Sequence, residues 1–228
     1  MKISIVIPAS GAGKRLGGDI PKQFLTLGGE PILRRTLSIF NAMEIVTEIA
    51  VAIPEGYLKE VSDYKIEKLH HIVEGKPTRA ESVYAALKTL DKNTDAVLVH
   101  DGVRPFVTPE IIASVAQAAK KHGASVACAP VTDTIKVADK DGNVITTPDR
   151  STLWQAQTPQ GFTYEIITRA YATAEKDGIL SEATDDSALA ERIGLSVKIV
   201  PSPPNNIKIT TTTDLYLAKV LNETSKFG

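Results

Sequence analysis

The chain has a single cysteine, Cys128, so no internal disulfide can form, and a zinc centre built from cysteine and histidine is not expected. Cys128 stands in the run Ala124-Ser125-Val126-Ala127-Cys128-Ala129 and reads as a small core residue, not a nucleophile. Charge of one sign is also missing: 26 basic and 27 acidic residues leave a net charge of −1, which argues against a nucleic-acid partner. Any polyanion must therefore be held by local charge. No apolar run approaches a membrane span, and strand-like residues begin at once, without the pattern of a signal peptide. No membrane partner is expected, and the cytoplasm is the simplest location. The chain has no Ser-His-Asp set, nucleophile elbow, HExxH or paired-carboxylate motif. Internal repeats and low-complexity tracts are absent too. What remains is an ordinary globular composition, 43% hydrophobic and 23% charged over 228 residues, enough for one large α/β domain spanning 1–228.

Short β-rich runs alternate with helical patterns. The expected strands are Ile3–Ile7, Glu48–Ile53, His70–Glu74, Ala96–His100, Ser125–Ala129, Ser196–Val200 and Ile207–Ile209. Thr78-Arg79-Ala80-Glu81 forms a capping box ahead of Ser82–Leu90. Thr108-Pro109-Glu110 opens a helix to about Lys121, with Gly123 closing it. Thr213-Asp214 begins a last helix to about Asn222. This alternation predicts a Rossmann-like three-layer sandwich, a mostly parallel sheet covered on both faces, with ligands bound outside the carboxyl ends of the strands. One segment breaks the rhythm. Thr134–Ala138 and Asn143–Thr147 alternate around Asp141-Gly142, a hairpin signal. An isolated hairpin is marginal in water, so a projecting arm at about 132–152 that pairs with a second copy is favoured over a hairpin lying flat on its own sheet.

The chemistry begins in the first loop, Pro8-Ala9-Ser10-Gly11-Ala12-Gly13-Lys14-Arg15-Leu16. It follows the strand pattern Ile3–Ile7 and precedes Pro21-Lys22-Gln23. Glycines admit a ligand close to the backbone, and Lys14, Arg15 and Lys22 bring positive charge, which is the make-up of a phosphate site. It is neither a Walker A loop nor a dinucleotide fingerprint: Lys14 follows Gly13 directly, Arg15 stands where a hydroxyl should be, and Leu16 occupies the third glycine position. A plain solvated turn is the alternative. The second signal is Val97-Leu98-Val99-His100-Asp101-Gly102-Val103-Arg104. It ends a buried strand in groups that should face the first loop, although an Asp101–Arg104 staple is the competing reading. His100 reads as a satisfied core or edge histidine. Gln155–Phe162 is a polar, amide-rich run beside the only tryptophan, Trp154, and reads equally as a binding wall or a well-bonded loop. Lys208 lies in a short apolar strand, either paired inward or facing out on an edge. A site rich in cations and poor in general bases suits phosphoryl or nucleotidyl transfer, where the substrate brings its own nucleophile.

Taken together, the first loop, Pro21-Lys22-Gln23, Arg79-Ala80-Glu81-Ser82-Val83, Val99–Pro105, Asp149-Arg150, Leu153-Trp154, Gln157–Gln160 and Asn206–Thr210 resemble the 2-C-methyl-D-erythritol 4-phosphate cytidylyltransferases of the non-mevalonate isoprenoid pathway. The resemblance covers essentially the whole chain. It implies a reaction of CTP with the sugar-alcohol phosphate to give a CDP-linked product and pyrophosphate, with Mg2+ carried mainly by the CTP phosphates. It also implies roles. Arg15 and Lys22 would hold the triphosphate and stabilise the transition state. Ala9, Ser10 and Gly11, with Ser82, would read cytosine and ribose, and Gly13 and Lys14 belong to the same nucleotide loop. Asp101 and Arg104 would help bind substrates, while Thr134, Arg150 and Lys208 would hold and aim the methylerythritol phosphate. It further implies a homodimer that exchanges arms, so that Thr134 and Arg150 serve the neighbour's site. Ser10 stands where the family often has alanine, and Asn205 where it often has aspartate. A ribitol 5-phosphate cytidylyltransferase is the nearest rival. A nucleotide-sugar glycosyltransferase is the more distant one, since Asp101-Gly102-Val103 lacks the Asp-x-Asp expected there.

Overall fold

A computed structural model describes residues 1–11 and 20–224. Gly13, Lys14 and Arg15, expected in the nucleotide loop, lie outside the described residues. In chain order the strands are β1 (Ile3–Pro8), β2 (Thr26–Leu27), β3 (Glu30–Pro31), β4 (Val46–Ile53), β5 (Leu69–Glu74), β6 (Ala96–Val99), β7 (Ala124–Pro130), β8 (Val137–Ala138), β9 (Val144–Thr146), β10 (Trp154–Phe162) and β11 (Lys198–Pro201). The helices are α1 (Ile32–Asn41), α2 (Leu58–Ser62), α3 (Arg79–Leu87), α4 (Pro109–His122), α5 (Tyr164–Lys176), α6 (Asp186–Arg192) and α7 (Thr212–Thr224).

Seven strands form one sheet in the order β11-β7-β10-β6-β1-β4-β5. All neighbours are parallel except β10, which runs antiparallel to both β6 and β7. Successive residues of β1 point to opposite faces. Ile3, Ile5 and Ile7 join Leu33, Leu37 and Phe40 of α1 and Ile112 and Val115 of α4 on one side. Val6 joins Val83 and Leu87 of α3 and Ile167 and Tyr171 of α5 on the other. The near-continuous apolar sequence of the central strands follows from this coverage of both faces. The sheet is mostly parallel and sandwiched between helices, as the alternation predicts. All three helix starts read from the sequence are present: Thr78 and Glu81 form the reciprocal capping box, Thr108 caps α4 ahead of Pro109, and α7 begins at Thr212, one residue before the expected Thr213-Asp214. Gly123 closes α4 at φ 89°.

Two expectations need correction. Ile207–Ile209 is not a strand: it is a loop segment tied down from both sides, with Ile209 N–H donating to the Val103 carbonyl at 2.9 Å and the Arg104 guanidinium donating to the Asn206 carbonyl at 2.7 Å. The polar run read as wall or loop is β10. It leaves the β7 ladder between Ala156 and Gln160, so Gln157 and Thr158 are released from strand pairing to bond elsewhere.

The hairpin β8–β9 forms its own two-stranded sheet and does not lie on the seven-stranded one. Residues 132–147 are exposed throughout, including Val137, Val144 and Ile145.

Candidate active site

β1 is the point where the chain's progress across the sheet reverses, with β4 and β5 on one side and β6 on the other. A crevice at the carboxyl ends of such strands is the expected binding place in an open α/β sheet. Two glycines make it narrow. A Cβ on Gly75, just past β5, would overlap the Ser10 side chain, and one on Gly102, just past β6, would lie 2.9 Å from Ala9 Cβ. The ends of β5 and β6 therefore press against the loop that follows β1. Gln23, buried, donates to the Ala9 carbonyl at 2.6 Å and so fixes the turn that carries Lys22.

The resulting cleft, of about 530 Å³, is lined by Ala9, Ser10, Gly11, Lys22, Asp101 and Lys208 among the residues predicted for the site. Ser82, at the start of α3, meets Ser10 hydroxyl to hydroxyl at 2.8 Å. Arg104 joins Asp101 and Lys208 in an adjoining cavity of about 250 Å³, walled by Gln157, Thr158 and Gln160 of β10. Thr134 and Arg150 line neither cavity. Arg150 sits in a 3₁₀ turn, Arg150–Thr152, at the base of the arm and donates to the Thr132 carbonyl at 3.0 Å.

Asp101 is the electrostatic centre. Arg79 Nε lies 3.1 Å from its Oδ1, Lys208 Nζ 2.9 Å from its Oδ2, and Arg104 Nε 3.5 Å from its Oδ2. Burial alone would raise the Asp101 carboxyl, but Arg79, Lys208 and Arg104 hold it well below the usual carboxylate range. Sequence reasoning left Arg79 and Asp186 out of the site. Arg79 bridges Asp101 to buried Asp186 through a two-pronged contact at 3.1 and 2.8 Å, and Tyr171 donates its hydroxyl to the same Asp186. Burial opposes the Arg79 charge, yet Asp186 and Asp101 hold its pKa well above the ordinary value. The one local cue was the position of Arg79 at the first residue of a capped helix, where an unpaired cation opposes the helix dipole. Nothing local pointed to Asp186, which lies 107 residues away.

His100 is fully buried and neutral. The Arg104 carbonyl accepts from Nε2–H at 3.1 Å, so Nδ1 accepts from the Thr158 hydroxyl at 3.1 Å, and Thr158 Oγ1 in turn accepts from Asp101 N–H at 3.0 Å. Burial pushes its pKa down to about 4. It anchors the Asp101 turn and offers no base to the cleft. Asn206, also buried, donates to Gln157 Oε1 at 3.0 Å and to the Thr158 carbonyl at 2.9 Å. The groups released from β10 thus hold the loop that delivers Lys208 to Asp101.

A narrow crevice after the first strand, lined by serine hydroxyls, loop backbone and surplus cations, defines a nucleotide-dependent transferase of the α/β class. Comparison with known proteins makes this particular. Residues 3–223 match the model of the family IspD, 2-C-methyl-D-erythritol 4-phosphate cytidylyltransferase, and the chain belongs to that family. The protein of that name from Symbiobacterium thermophilum is 43% identical, over 97% of this chain and 93% of its own length. The one from Clostridioides difficile is 43% identical, over 96% and 93%. Among solved structures, the 4-diphosphocytidyl-2C-methyl-D-erythritol synthase of Anaerococcus prevotii superposes with a TM-score of 0.84 at 32% identity, covering 97% of this chain and 98% of that one. The cytidylyltransferase of Thermus thermophilus gives 0.81 at 34%, covering 98% and 100%.

Proposed function

We propose that this chain transfers the cytidylyl group of CTP to 2-C-methyl-D-erythritol 4-phosphate, within isoprenoid biosynthesis, as one nucleotidyltransferase domain with a dimerisation arm at about 132–152. The observation that carries the reading is the cleft itself, in which Lys22, Lys76, Arg79 and Lys208 face a single carboxylate, Asp101. A phosphate oxygen of the sugar-alcohol substrate attacks the α-phosphorus of CTP. A new P–O bond forms as the bond from the α-phosphorus to the bridging oxygen breaks, and pyrophosphate leaves with the electron pair. No protein nucleophile or strong base is required, so the work of the protein is positioning and charge stabilisation.

Lys22 meets the triphosphate together with Arg15. Ser10, Ser82 and the backbone from Ala9 to Gly11 hold cytosine and ribose. Lys208, aimed by Asp101, meets the sugar phosphate, and Arg104 braces Asp101 and the 206–209 loop. Asp101 is the one carboxylate lining the cleft among the described residues, and its oxygens are taken by Arg79, Arg104 and Lys208. Magnesium therefore enters as part of the CTP substrate, held by phosphate oxygens and water. Thr134 and Arg150 act on the sugar phosphate in the neighbouring subunit of a homodimer. The exposed apolar residues of the arm and its separation from the sheet support that exchange. The cytoplasm is the proposed place of work. No helix among the described residues is long and apolar enough to cross a membrane.

Pyrophosphate release with a panel of nucleoside triphosphates against methylerythritol phosphate and ribitol phosphate tests the reading. CTP with methylerythritol phosphate should give the highest kcat/KM. A preference for ribitol phosphate would sink the assignment in favour of the rival, which the family membership does not favour.

A further inference from the structure

Asp186 and Tyr171 line neither cavity, yet they end a chain of contacts that begins in both. Asp186 is the first residue of α6, and its side chain is fully buried. β10 pins this helix start. Gln160 Oε1 accepts from the Ser187 N–H at 2.8 Å, and the Gln160 amide donates to Asp185 at 2.9 Å. Asp185 in turn accepts from the Ala188 N–H at 2.9 Å. From the other side, Tyr171 of α5, itself fully buried and stacked on Tyr84, donates its hydroxyl to Asp186 Oδ1. The carboxylate therefore has little freedom. It takes both terminal nitrogens of Arg79, and that guanidinium meets Asp101 Oδ1 through Nε. Asp101 Oδ2 is thereby kept for Lys208 at 2.9 Å and Arg104 at 3.5 Å. A guanidinium pairs best with a carboxylate through two parallel donors. Released from Asp186, Arg79 is free to close on both oxygens of Asp101 and to compete with the Lys208 ammonium for Oδ2.

We propose that Asp186, held by Tyr171, is a positioning residue for the reaction: by fixing Arg79 to one oxygen of Asp101 it keeps the other for Lys208, and so aims that ammonium at the sugar-alcohol phosphate. The proposal rests on the reading that Lys208 meets this phosphate. Asp186 touches no substrate and acts through two intervening side chains, Arg79 and Asp101. Its effect is on where the Lys208 charge stands, and a small displacement of a group that orients a substrate is costly.

Steady-state kinetics with each substrate varied in turn test it, on the wild-type chain, Asp186→Asn, Tyr171→Phe and a core control, Ile112→Val. Ile112 packs on the face of the sheet opposite Tyr171. Asparagine keeps the volume of Asp186 and loses the charge that holds both nitrogens of Arg79. KM for the sugar phosphate should rise about tenfold while KM for CTP stays within about twofold, as for a charged contact that is displaced and not removed. Tyr171→Phe leaves both charges in place and should raise the same KM by about two- to threefold, the size of one lost hydrogen bond. Ile112→Val lowers stability through lost packing alone and should move neither KM. A merely structural role for Asp186 would lower the active fraction, and with it the apparent kcat, at unchanged KM. An unchanged sugar-phosphate KM in Asp186→Asn, equal rises in both KM values, or the same rise in Ile112→Val would each overturn the proposal alone. If Asp186→Asn does not fold, Tyr171→Phe decides, and an unmoved sugar-phosphate KM in that variant overturns the proposal. Failure of the wild-type chain to turn over CTP with methylerythritol phosphate would overturn the cytidylyltransferase reading, and the proposal with it.

Discussion

The cleft and the arm are opposite kinds of structure. In the cleft, Asp101 is tied to three cations, Arg79 to a second buried carboxylate, and the loop carrying Lys208 to amides of β10. The arm makes a two-stranded sheet of its own, and residues 132–147 are all exposed. Buried ion pairs cost desolvation and hold only when the geometry satisfies them, so the cleft is preorganised before any ligand arrives. Among the described residues the arm has no such buried support within its own chain. Under the proposed exchange, one subunit provides the preorganised cleft and the neighbour's arm brings Arg150 and Thr134 to it.

Lys22→Ala gives the largest break in that comparison. Removing a cation proposed to meet the reacting phosphates should lower kcat by about 10²–10³, the usual size for one charge-stabilising group. Circular dichroism should be unchanged, because Gln23 still anchors the turn through the Ala9 carbonyl. Pyrophosphate release within tenfold of wild type would dismiss Lys22 from the chemistry.

Arg150→Ala separates the two regions directly. It should lower kcat/KM for the sugar phosphate by about 10²-fold, as expected for a charged hydrogen-bonding group on a phosphate, with KM for CTP little altered. Mixing it with Lys22→Ala subunits makes the test specific. If the arm serves the neighbour, one site of each mixed dimer has both residues intact, and random reassortment should restore roughly a quarter of wild-type activity. Activity no higher than that of the separate variants would place Arg150 in its own subunit's site, against the exchange.

The same contrast marks what local sequence could reveal. The apolar strands and the caps at Thr78 and Thr108 were legible because burial on both faces and helix ends leave local patterns. The placement of Lys22 and Asp101 at the cleft followed from their position beyond the first strand and at the end of β6, whereas the sequence left Lys208 open between an inward pair and an outward edge. β10 was obscure because it carries Gln155, Gln157, Thr158 and Gln160, the last three bonded to Pro203, His100 and Asp185 outside the strand, so no apolar alternation advertises a strand. The loop around Lys208 imitated a strand because Ile207 and Ile209 pack into a small cluster with Val103 and α7. Asp186 was invisible because a buried carboxylate is recognised by its partner, and Arg79 lies more than a hundred residues upstream.

His100 sharpens the rigidity of the cleft through pH. Burial lowers its folded-state pKa from 6.5 to about 4. Below 6.5 the unfolded chain binds a proton that the folded chain refuses until about 4. The stabilisation is therefore complete above 6.5 and is lost as pH falls through that window. At pH 5 the cost is about 2 kcal/mol. Asp101, with its lowered pKa, adds acid sensitivity that sets in as pH falls into the ordinary carboxylate range and continues below it. Urea unfolding at pH 7.5 and 5 should show this difference in the wild-type chain and much less of it in His100→Gln. An identical pH dependence in the two would remove His100 as its source.

The smallest effect distinguishes framework from site within the rigid region. Thr78 and Thr108 do the same local job: each accepts a backbone N–H at a helix start, from Glu81 at 3.2 Å and from Ile111 at 3.5 Å. Replacing either by alanine should cost about 1 kcal/mol of stability. Their helices differ in what they carry. α3 begins with Arg79 and presents Ser82 to Ser10, whereas Ile111, Ile112 and Val115 of α4 enter the core. Loosening the first turn of α3 should raise KM for CTP a few-fold as well, and loosening α4 should leave it unmoved. Thr78→Ser keeps the cap and should recover both stability and KM, which separates loss of the cap from loss of the threonine methyl. Equal kinetic responses to Thr78→Ala and Thr108→Ala would mean that the cleft feels general stability and not the placement of α3.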